Sequence, residues 1–597
     1  MALPPVSVHE FFIPVMGIGF TIDTPLRVAP LGIDSAVSLV NDRLIEHMRA
    51  VHAAEHGSPY RPIASEDHDA RARRIRTYLD VLQDLIDRRV AAVRNSAFVP
   101  ESPITRYFEL LPPGELRTAY EEMLIERAPA ERARMQASLR SRLRAGNLDA
   151  NIMTKLDNAL KPDGTPRPDG ESDAIAAFRG YADSRARGRL ILSAGLNPRL
   201  IAAMAGHPAF TVDLEGNCPK SLVVKVSDYR SAAIQGKYLA KRGLWPAEFR
   251  VESGLNCGGH AFGAQGRLLG PVLAEFRRKR EALHASLFDQ LRTALRERGA
   301  VVPRRAPSLR VSAQGGVGRA SEARLLREQY GVDAVGWGTP FLLVPEVTRV
   351  DERTLRDLER AREADVVLSR SSPLGVRFWT LRDSTSERAK RARVADGRPG
   401  SRCPNAHLAI ERDDRGRPTC RASRRFQRNA LTALRARARA QAREVRADEL
   451  ETILSPACIC DDLCASAYLV TASDRSDLTP AVCPGPNIAY YNQRCSLDQL
   501  VDHIYGRGRL EMRGDRPHML VQEAELNLRD LCEQFGVLRD LGDSVAPRGA
   551  HPQLRRGIEN LREGLLSYRS LNDSRLQPEL SRLLEELQYL QVQLDQM

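Results

Sequence analysis

Two glycine-rich segments of the chain have the composition of an anion-binding site. Residues 310–319 read Arg-Val-Ser-Ala-Gln-Gly-Gly-Val-Gly-Arg, and residues 331–341 read Gly-Val-Asp-Ala-Val-Gly-Trp-Gly-Thr-Pro-Phe. Each is a short apolar run that ends in glycines, which is typical of a strand followed by a tight turn. Glycines there let peptide N–H groups approach an anion closely, and a following helix adds partial positive charge. The two segments therefore predict a phosphate site built from consecutive strand–helix turns.

A second candidate site follows the apolar run at 248–252, where the chain reads Glu252-Ser-Gly-Leu-Asn-Cys-Gly-Gly-His260. A histidine at the end of a strand can act as a general acid or base near neutral pH, so His260 is a candidate catalytic residue. The alternative is a histidine that caps the next helix. Cys257 is either a catalytic thiol or a small packing residue.

Strands and helices alternate around these motifs, which indicates how they are positioned. We predict strands at 190–194, 222–226, 248–252 and 309–314, and helices at 173–184, 198–205, 229–242 and 270–299. This alternation implies a parallel sheet, and a (β/α)8 TIM barrel is the expected closure, although only six or seven strands are recognisable. Active sites of such barrels lie at the carboxyl ends of the strands.

The remaining chain is divided by composition. Residues 26–33, Leu-Arg-Val-Ala-Pro-Leu-Gly-Ile, are predicted to be the first strand, followed by a charged helical insertion at about 53–170. We expect a barrel domain at 1–390, a cysteine-rich segment at 391–500 and a helical C-terminal region at 501–597.

Three turns in order carry a resemblance to a known family. The motifs Gly258-Gly-His260, Gln314-Gly-Gly-Val-Gly318 and Gly336-Trp-Gly-Thr339 resemble those of nitronate monooxygenases and FMN-dependent enoyl-ACP reductases, which are (β/α)8 barrels. The resemblance covers about 173–346 and the first strand. It implies an FMN-dependent oxidoreductase that acts on a small organic substrate, or a nitronate monooxygenase-like flavin oxidase. The family usually has Glu-Ala-Gly-Gly-His, whereas five residues separate Glu252 from Gly258 here.

The resemblance also implies roles for individual residues. His260 would transfer a proton to or from the substrate, and Lys225 would face the flavin pyrimidine unless it faces solvent. The implied cofactor-binding residues are Ala29, Pro30, Gly32, Lys225, Glu252, Gly315, Gly316, Gly336, Gly338 and Thr339.

Cysteines are concentrated in the middle of the chain. We predict metal ligands among Cys403, Cys420, Cys458, Cys460 and Cys483, with one of Cys458 or Cys460 in a set of four. Four thiolates can hold a [4Fe–4S] cluster or a zinc ion, and proline after Cys403 and Cys483 recurs at cluster ligands. No pair has the Cys-x2-Cys spacing typical of zinc, so iron–sulfur is favoured over zinc. Separate buried or redox-active cysteines remain the third interpretation.

The net charge is +13, with the excess at 267–310 and 382–446. Solvated helix faces explain this charge, and a polyanion-binding surface is the sharper alternative. Aromatic content of 5% and the lack of a nucleic-acid-binding motif disfavour nucleic acid. We expect a cytoplasmic protein without a membrane span, and an electron-carrier protein as partner of any cluster. The alternative to an enzyme is a non-catalytic scaffold protein that binds RNA or an acidic partner.

Overall fold

The computed structural model describes residues 7–161, 163–168, 170–261, 266–403, 406–472, 477–541, 550–571 and 576–596. Eight parallel strands close into a barrel, in which neighbours in the chain are neighbours in the sheet. The eighth strand pairs with the first through Phe11 and Val335. The predicted (β/α)8 barrel is confirmed, with strands Phe11–Ile13, Asp34–Ser38, Leu148–Ile152, Arg189–Leu192, Ser221–Val226, Pro246–Glu252, Arg310–Gln314 and Ala334–Gly336.

The predicted first strand at 26–33 is wrong. This segment forms helix Thr24–Val28 and a 3-10 turn at Ala29–Leu31, which ends on Gly32 in the left-handed region. It comes directly before the second strand and therefore lies at the amino ends of the barrel strands. Ala29, Pro30 and Gly32 are thus at the opposite end from the mouth, where a cofactor ring would be bound.

The predicted helical insertion hides one strand of the barrel. Helices fill most of 53–170, but Leu148–Ile152 is the third strand, and it pairs with the second and the fourth. The helices of the barrel half are Thr24–Val28, Asp42–Glu55, Ala70–Asn95, Pro103–Leu110, Glu115–Ile125, Pro129–Arg142, Asp173–Ala182, Pro198–Met204, Tyr229–Ala240, Leu269–Glu297, Ala320–Tyr330 and Glu352–Arg360.

An ionic cluster fills the amino end of the barrel interior. Arg189 contacts Asp149 at 2.6 Å, Asp34 at 2.9 Å and Glu248 at 3.1 Å, and all four side chains are at most 7% exposed. Three carboxylates around one guanidinium satisfy the requirement that buried charges be paired.

The chain beyond the barrel packs over its mouth and side. Strands Val366–Ser369 and Arg377–Leu381 form an antiparallel sheet with His260–Ala261, and Glu411–Arg412 pairs with Pro418–Thr419. The buried apolar side chains of this half and of the barrel belong to the same core. The helices are Thr385–Ala395, Arg424–Ala440, Ala447–Leu454, Ile459–Thr471, Leu497–Tyr505, Met519–Leu541, Ala550–Tyr568 and Leu576–Asp595.

None of the described helices is by itself long and apolar enough to cross a membrane. Helices Ala447–Leu454 and Ile459–Thr471 pass that length and composition test only as a pair, with a bend of 49° between them.

Candidate functional site

A cavity of about 340 Å³ lies at the carboxyl ends of the barrel strands. The loop after the first strand and the ends of the second to sixth strands form its lower wall. Residues of that wall are Val15, Gly17, Ile18, Ser38, Val40, Asn151, Met153, Lys155, Ser193, Ala194, Lys225, Glu252, Asn256, Gly258 and Gly259. The cavity therefore occupies the position at which barrel enzymes bind their substrates.

A charged network forms one side of the cavity. Lys225 Nζ lies 3.0 Å from Glu252 Oε1, and the side-chain amides of Asn256 and Gln314 donate to the same oxygen at 2.8 and 3.1 Å. Gln314 also donates to Asn256 Oδ1 at 2.9 Å. Since three donors converge on one carboxylate oxygen, Glu252 is held in a single orientation beside an ammonium group. Lys225 and Glu252, both selected from the sequence, thus lie together in the cavity wall.

Asn151 presents an unsatisfied acceptor at the end of the third strand. Its side-chain oxygen is buried and has no hydrogen-bond partner among the described residues, and Asn151 lines the cavity. A buried polar atom without a partner costs about 1–3 kcal/mol, so this position calls for an N–H or O–H group of a ligand. Sequence analysis missed Asn151, because the strand that carries it was not recognised.

The roof of the cavity consists of apolar side chains from beyond the barrel. They belong to the segment before and within Arg377–Leu381, to residues 408–410, and to helix Ile459–Thr471. These side chains exclude water from the mouth, and no local pattern in the sequence placed them there. They are Leu374, Val376, Phe378, Leu408, Ile410, Ile459 and Leu463.

A second cavity, of about 600 Å³, adjoins the first and shares Lys155, Ala194 and Glu252 with it. Glu523 of helix Met519–Leu541 also lines this second cavity. Its Oε2 accepts a hydrogen bond from the peptide N–H of Leu269 at 2.8 Å, and burial raises the pKa of Glu523 to about 7.

The turn before His260 forms part of the cavity wall. Gly258 has φ of +78°, and a Cβ at this position would lie 2.2 Å from the carbonyl oxygen of Val15, so only glycine fits. The backbone of His260 pairs with Phe378 in the antiparallel sheet. The side chain of His260 lies outside the described part of the structure, and its acid–base role stays a prediction.

Cys257 lies below this turn and is 4% exposed. Its thiol donates to the carbonyl oxygen of Cys483 at 3.2 Å, and burial raises the pKa of Cys257 well above its usual value. A thiol that stays protonated is a poor nucleophile. The geometry favours a packing role for Cys257 over a catalytic one.

The glycine turn after the seventh strand is covered by the chain itself. Gly315 and Gly316 both have positive φ, as a tight turn requires. A Cβ on Gly316 would lie 2.7 Å from the Leu255 side chain, and one on Gly315 would lie 3.1 Å from the backbone of Asn256. The five residues that lengthen the turn after Glu252 therefore occupy the space above these glycines.

The turn after the eighth strand is covered as well. Thr339 Oγ1 donates to the carbonyl oxygen of Pro484 at 2.6 Å, and Gly485 packs against the same hydroxyl. Gly338 lies against Cys257, with 3.1 Å between the two Cβ positions, whereas Gly336 faces the side chains of Phe12 and Gln314.

A carboxylate of the chain occupies the place where an anion would bind. Glu322 Oε2 accepts from the peptide N–H groups of Gly318 at 2.8 Å and Arg319 at 3.1 Å, at the start of helix Ala320–Tyr330. Glu322 Oε1 accepts from Arg516 at 2.6 Å and from the N–H of Met519 at 2.9 Å. Both side chains of the ion pair are 0% exposed.

FMN held in the way that the resemblance implies therefore does not fit this structure. Leu255 and Asn256 cover Gly315 and Gly316. The carbonyl oxygen of Pro484 accepts the hydrogen bond of the Thr339 hydroxyl, and the Glu322 carboxylate accepts from the peptide N–H groups at the helix N-terminus.

Four of the five predicted metal ligands come together. The thiol of Cys403 interacts with those of Cys420 and Cys458, and Cys458 also interacts with Cys460. These contacts lower the pKa of Cys403 and raise the pKa of Cys420 and Cys458. We call these four residues the thiol cluster. Its members come from the loop before Glu411, the loop before Arg424 and the start of helix Ile459–Thr471.

The described thiols of the cluster do not form a preformed site for a single ion. Four sulfurs bound to one zinc ion at about 2.3 Å lie about 3.8 Å apart. Among the described residues, no three of these thiols have sulfur atoms that all lie within 4.8 Å of one another. His52, Glu55 and His56 do form a group that is this compact.

Cys483 is apart from the thiol cluster. It lies next to Cys257, and its thiol donates to the carbonyl oxygen of Gly259 at 3.5 Å. Cys464 is instead the fifth thiol near the cluster. It is buried, donates to the carbonyl oxygen of Cys460 at 3.3 Å and accepts from Asn41 at 3.2 Å.

Comparisons with known proteins add little to this geometry. No protein-family profile matches the sequence, and no curated protein matches it. Among solved structures, the enoyl reductase domain of MlnA from the macrolactin biosynthesis cluster of Bacillus amyloliquefaciens is similar to it. The likeness covers 70% of this chain and 88% of that one, at 13% identity and a TM-score of 0.33. Such a likeness carries no argument, and the fold assignment depends on the barrel itself.

Proposed function

We propose that this chain is an oxidoreductase in which the thiol cluster holds an iron–sulfur centre beside a substrate cavity. One observation carries the proposal: Cys460 belongs to the thiol cluster and also lines the cavity at the barrel mouth. A redox centre at that position would be adjacent to whatever the barrel binds.

The donor set fits such a centre. Thiolates are the usual ligands of iron–sulfur clusters, and four of them complete a [4Fe–4S] or [2Fe–2S] site. Cys420, Cys458 and Cys460 are 2–3% exposed, so these ligands are shielded from solvent and oxidants. When bound, the cluster would supply or accept single electrons.

The cavity supports a small organic substrate with an apolar body and a polar head. Its volume of about 340 Å³ is in the range of small-molecule sites. The apolar roof would pack on the body, while the Asn151 oxygen would accept a hydrogen bond from the head group. Lys225 would bind an oxygen of the substrate and hold a proton next to it, and Glu252 would keep that ammonium in place. His260 remains our candidate for proton transfer.

The test is iron and acid-labile sulfide in the anaerobically purified full chain and in single Cys→Ser variants. Cys420→Ser and Cys458→Ser should lose most of both elements, whereas Cys495→Ser and Cys532→Ser, which are outside the thiol cluster, should retain them. Equal iron content in all four variants would contradict the assigned ligands. Wild-type protein without iron after anaerobic reconstitution with iron and sulfide would contradict the proposal itself.

A further inference from the structure

The basic charge of the chain is concentrated around the thiol cluster. Between residues 382 and 446 there are 19 Lys and Arg against 7 Asp and Glu, so this stretch carries +12 of the net +13. Cys403 and Cys420, two of the four thiols of the cluster, lie within the same stretch. The larger of the two basic stretches of the chain thus coincides with the cysteine-rich region.

Much of this charge is exposed and forms no ion pair among the described residues. Several arginines of the stretch are exposed and form no ion pair with a described residue, whereas Arg421 and Arg425 are paired with Glu411 and Asp413. We call seven of the unpaired arginines the arginine face: Arg398, Arg402, Arg412, Arg415, Arg428, Arg435 and Arg439. Arg437 is also exposed, but it lies on the opposite side of helix Arg424–Ala440 from Arg428.

Helix Arg424–Ala440 joins the arginine face to the thiol cluster. Arg428, Arg435 and Arg439 are spaced by seven and four residues and share one side of this helix. At its N-terminal end, Gln427 donates to the carbonyl oxygen of Pro456 at 3.0 Å, two residues before Cys458. The helix is therefore fixed directly to the backbone that carries a cluster ligand.

The thiol cluster reaches towards solvent at the same place. Cys403 is half-buried, in contrast to the other three thiols, and the exposed Arg402 precedes it. The backbone of Ser401 pairs with that of the helix start, since its N–H donates to Ala422 at 2.9 Å and its carbonyl accepts from Arg424 at 2.8 Å. Cys460, another thiol of the cluster, lies in the cavity wall. The cluster thus connects the arginine face with the substrate cavity.

We infer that the arginine face is the docking surface for an acidic one-electron carrier protein. This inference rests on the proposed function, because the carrier would exchange electrons through the thiol cluster. Complementary charge accelerates encounter and fixes orientation, which a transient electron-transfer complex requires. RNA is the less suitable occupant, because single-stranded RNA is bound by stacking on aromatic rings and Phe426 is the one Phe, Tyr or Trp between 382 and 446.

The test uses the full chain and a reduced plant-type [2Fe–2S] ferredoxin as the acidic probe. Affinity is measured by calorimetry at about 50 and about 300 mM NaCl, since screening acts on exposed charges. The variant R428E/R435E/R439E reverses three charges of the arginine face. The matched control R278E/R296E/R305E reverses three exposed arginines on and after helix Leu269–Glu297.

We expect the first variant to bind the probe at least about tenfold more weakly at low salt, and the control to stay within about twofold. Equal weakening in both variants, or no binding by wild type, would overturn the docking surface. Tighter binding of a single-stranded RNA oligonucleotide that requires the same three arginines would also overturn it. Iron content is assayed in parallel. Wild-type protein without iron would contradict the proposed function, whereas the binding data alone decide whether the arginine face is the docking surface.

Discussion

Substitution of Glu322 tests whether an internal carboxylate has replaced an external anion. Glu322 and Arg516 form a fully buried ion pair at 2.6 Å. Glu322→Gln keeps the size of the side chain but leaves the guanidinium without its counter-ion. Removing one partner of a buried pair destabilises a protein by about 3–5 kcal/mol. The peptide N–H groups of Gly318 and Arg319 also lose a charged acceptor, so we expect the variant in the upper half of that range.

The assay is urea unfolding followed by tryptophan fluorescence, because Trp337 is buried beside this site. Its ring contacts His503, which in turn is hydrogen-bonded to the carbonyl oxygen of Gly318. Asp448→Asn is the matched control: it removes one carboxylate from a pair with Arg446 in which the side chains are 58% and 65% exposed. Exposed pairs contribute about 0–1 kcal/mol, so the control should change little.

The double variant Glu322→Gln with Arg516→Met isolates the pair. Because the second substitution removes the orphaned charge, the double variant should be at least about 1 kcal/mol more stable than the sum of the two single effects predicts. Additive effects, or a loss below about 1 kcal/mol in Glu322→Gln, would refute the idea of a buried internal anion.

The same pair predicts an acid dependence. Burial alone would raise the pKa of Glu322, but Arg516 and the N–H of Gly318 outweigh it and hold the pKa below its usual 4.5. A lowered pKa in the folded state gives stability that is fully present above the unfolded pKa and is lost as the pH falls. Wild type should therefore lose more stability than Glu322→Gln on acidification below about pH 4.5.

Three further predictions follow from single positions. Burial raises the pKa of Glu523 to about 7, so the folded state keeps a proton that the unfolded chain has lost, and wild-type stability should fall between about pH 4.5 and 7. In Glu523→Gln the decrease in the free energy of unfolding over this pH range should be smaller by up to about 3 kcal/mol, as measured by urea unfolding at a series of pH values. The same pH dependence in wild type and variant would contradict the raised pKa. Gly397→Ala has open space and should lose only the about 1–3 kcal/mol of its backbone strain, whereas Gly258→Ala should lose more, since it adds a 2.2 Å approach to Val15 to a positive φ. Thiol labelling of the native protein with Ellman's reagent should modify the exposed Cys532 rapidly and leave Cys257 unmodified; Cys532→Ser should remove the fast phase, and rapid labelling of Cys257 would contradict its burial.

The sequence was sufficient for the barrel where strands were apolar. Ser221–Val226 has a nearly continuous apolar core, and Pro246–Glu252 carries Phe249 and Val251 shortly before a glycine-rich turn; both were found. Leu148–Ile152 was missed because it lies in a charged stretch whose pattern is otherwise helical, and its buried Asp149 is paired with Arg189, 40 residues away. Phe11–Ile13 has three residues, which is too short for a periodic signal.

The site was predictable only in part for the same reason. The glycine turns at Gly315 and Gly338 were located correctly, but Pro484, which accepts the hydroxyl of Thr339, is 145 residues away in the chain. Thiol spacing selected Cys403 and Cys420 but included Cys483, because proline after cysteine says nothing about which thiols meet in space. Only the fold separated Cys483 from the thiol cluster.

The most direct measurement of the central claim is the electron paramagnetic resonance spectrum of the anaerobically prepared, dithionite-reduced full chain. The account predicts the signal of a reduced iron–sulfur cluster, which should disappear in Cys420→Ser and persist in Cys483→Ser, because Cys483 lies outside the thiol cluster. A chain that gives no such signal after reconstitution with iron and sulfide, or a signal that requires Cys483 and not Cys420, would contradict it.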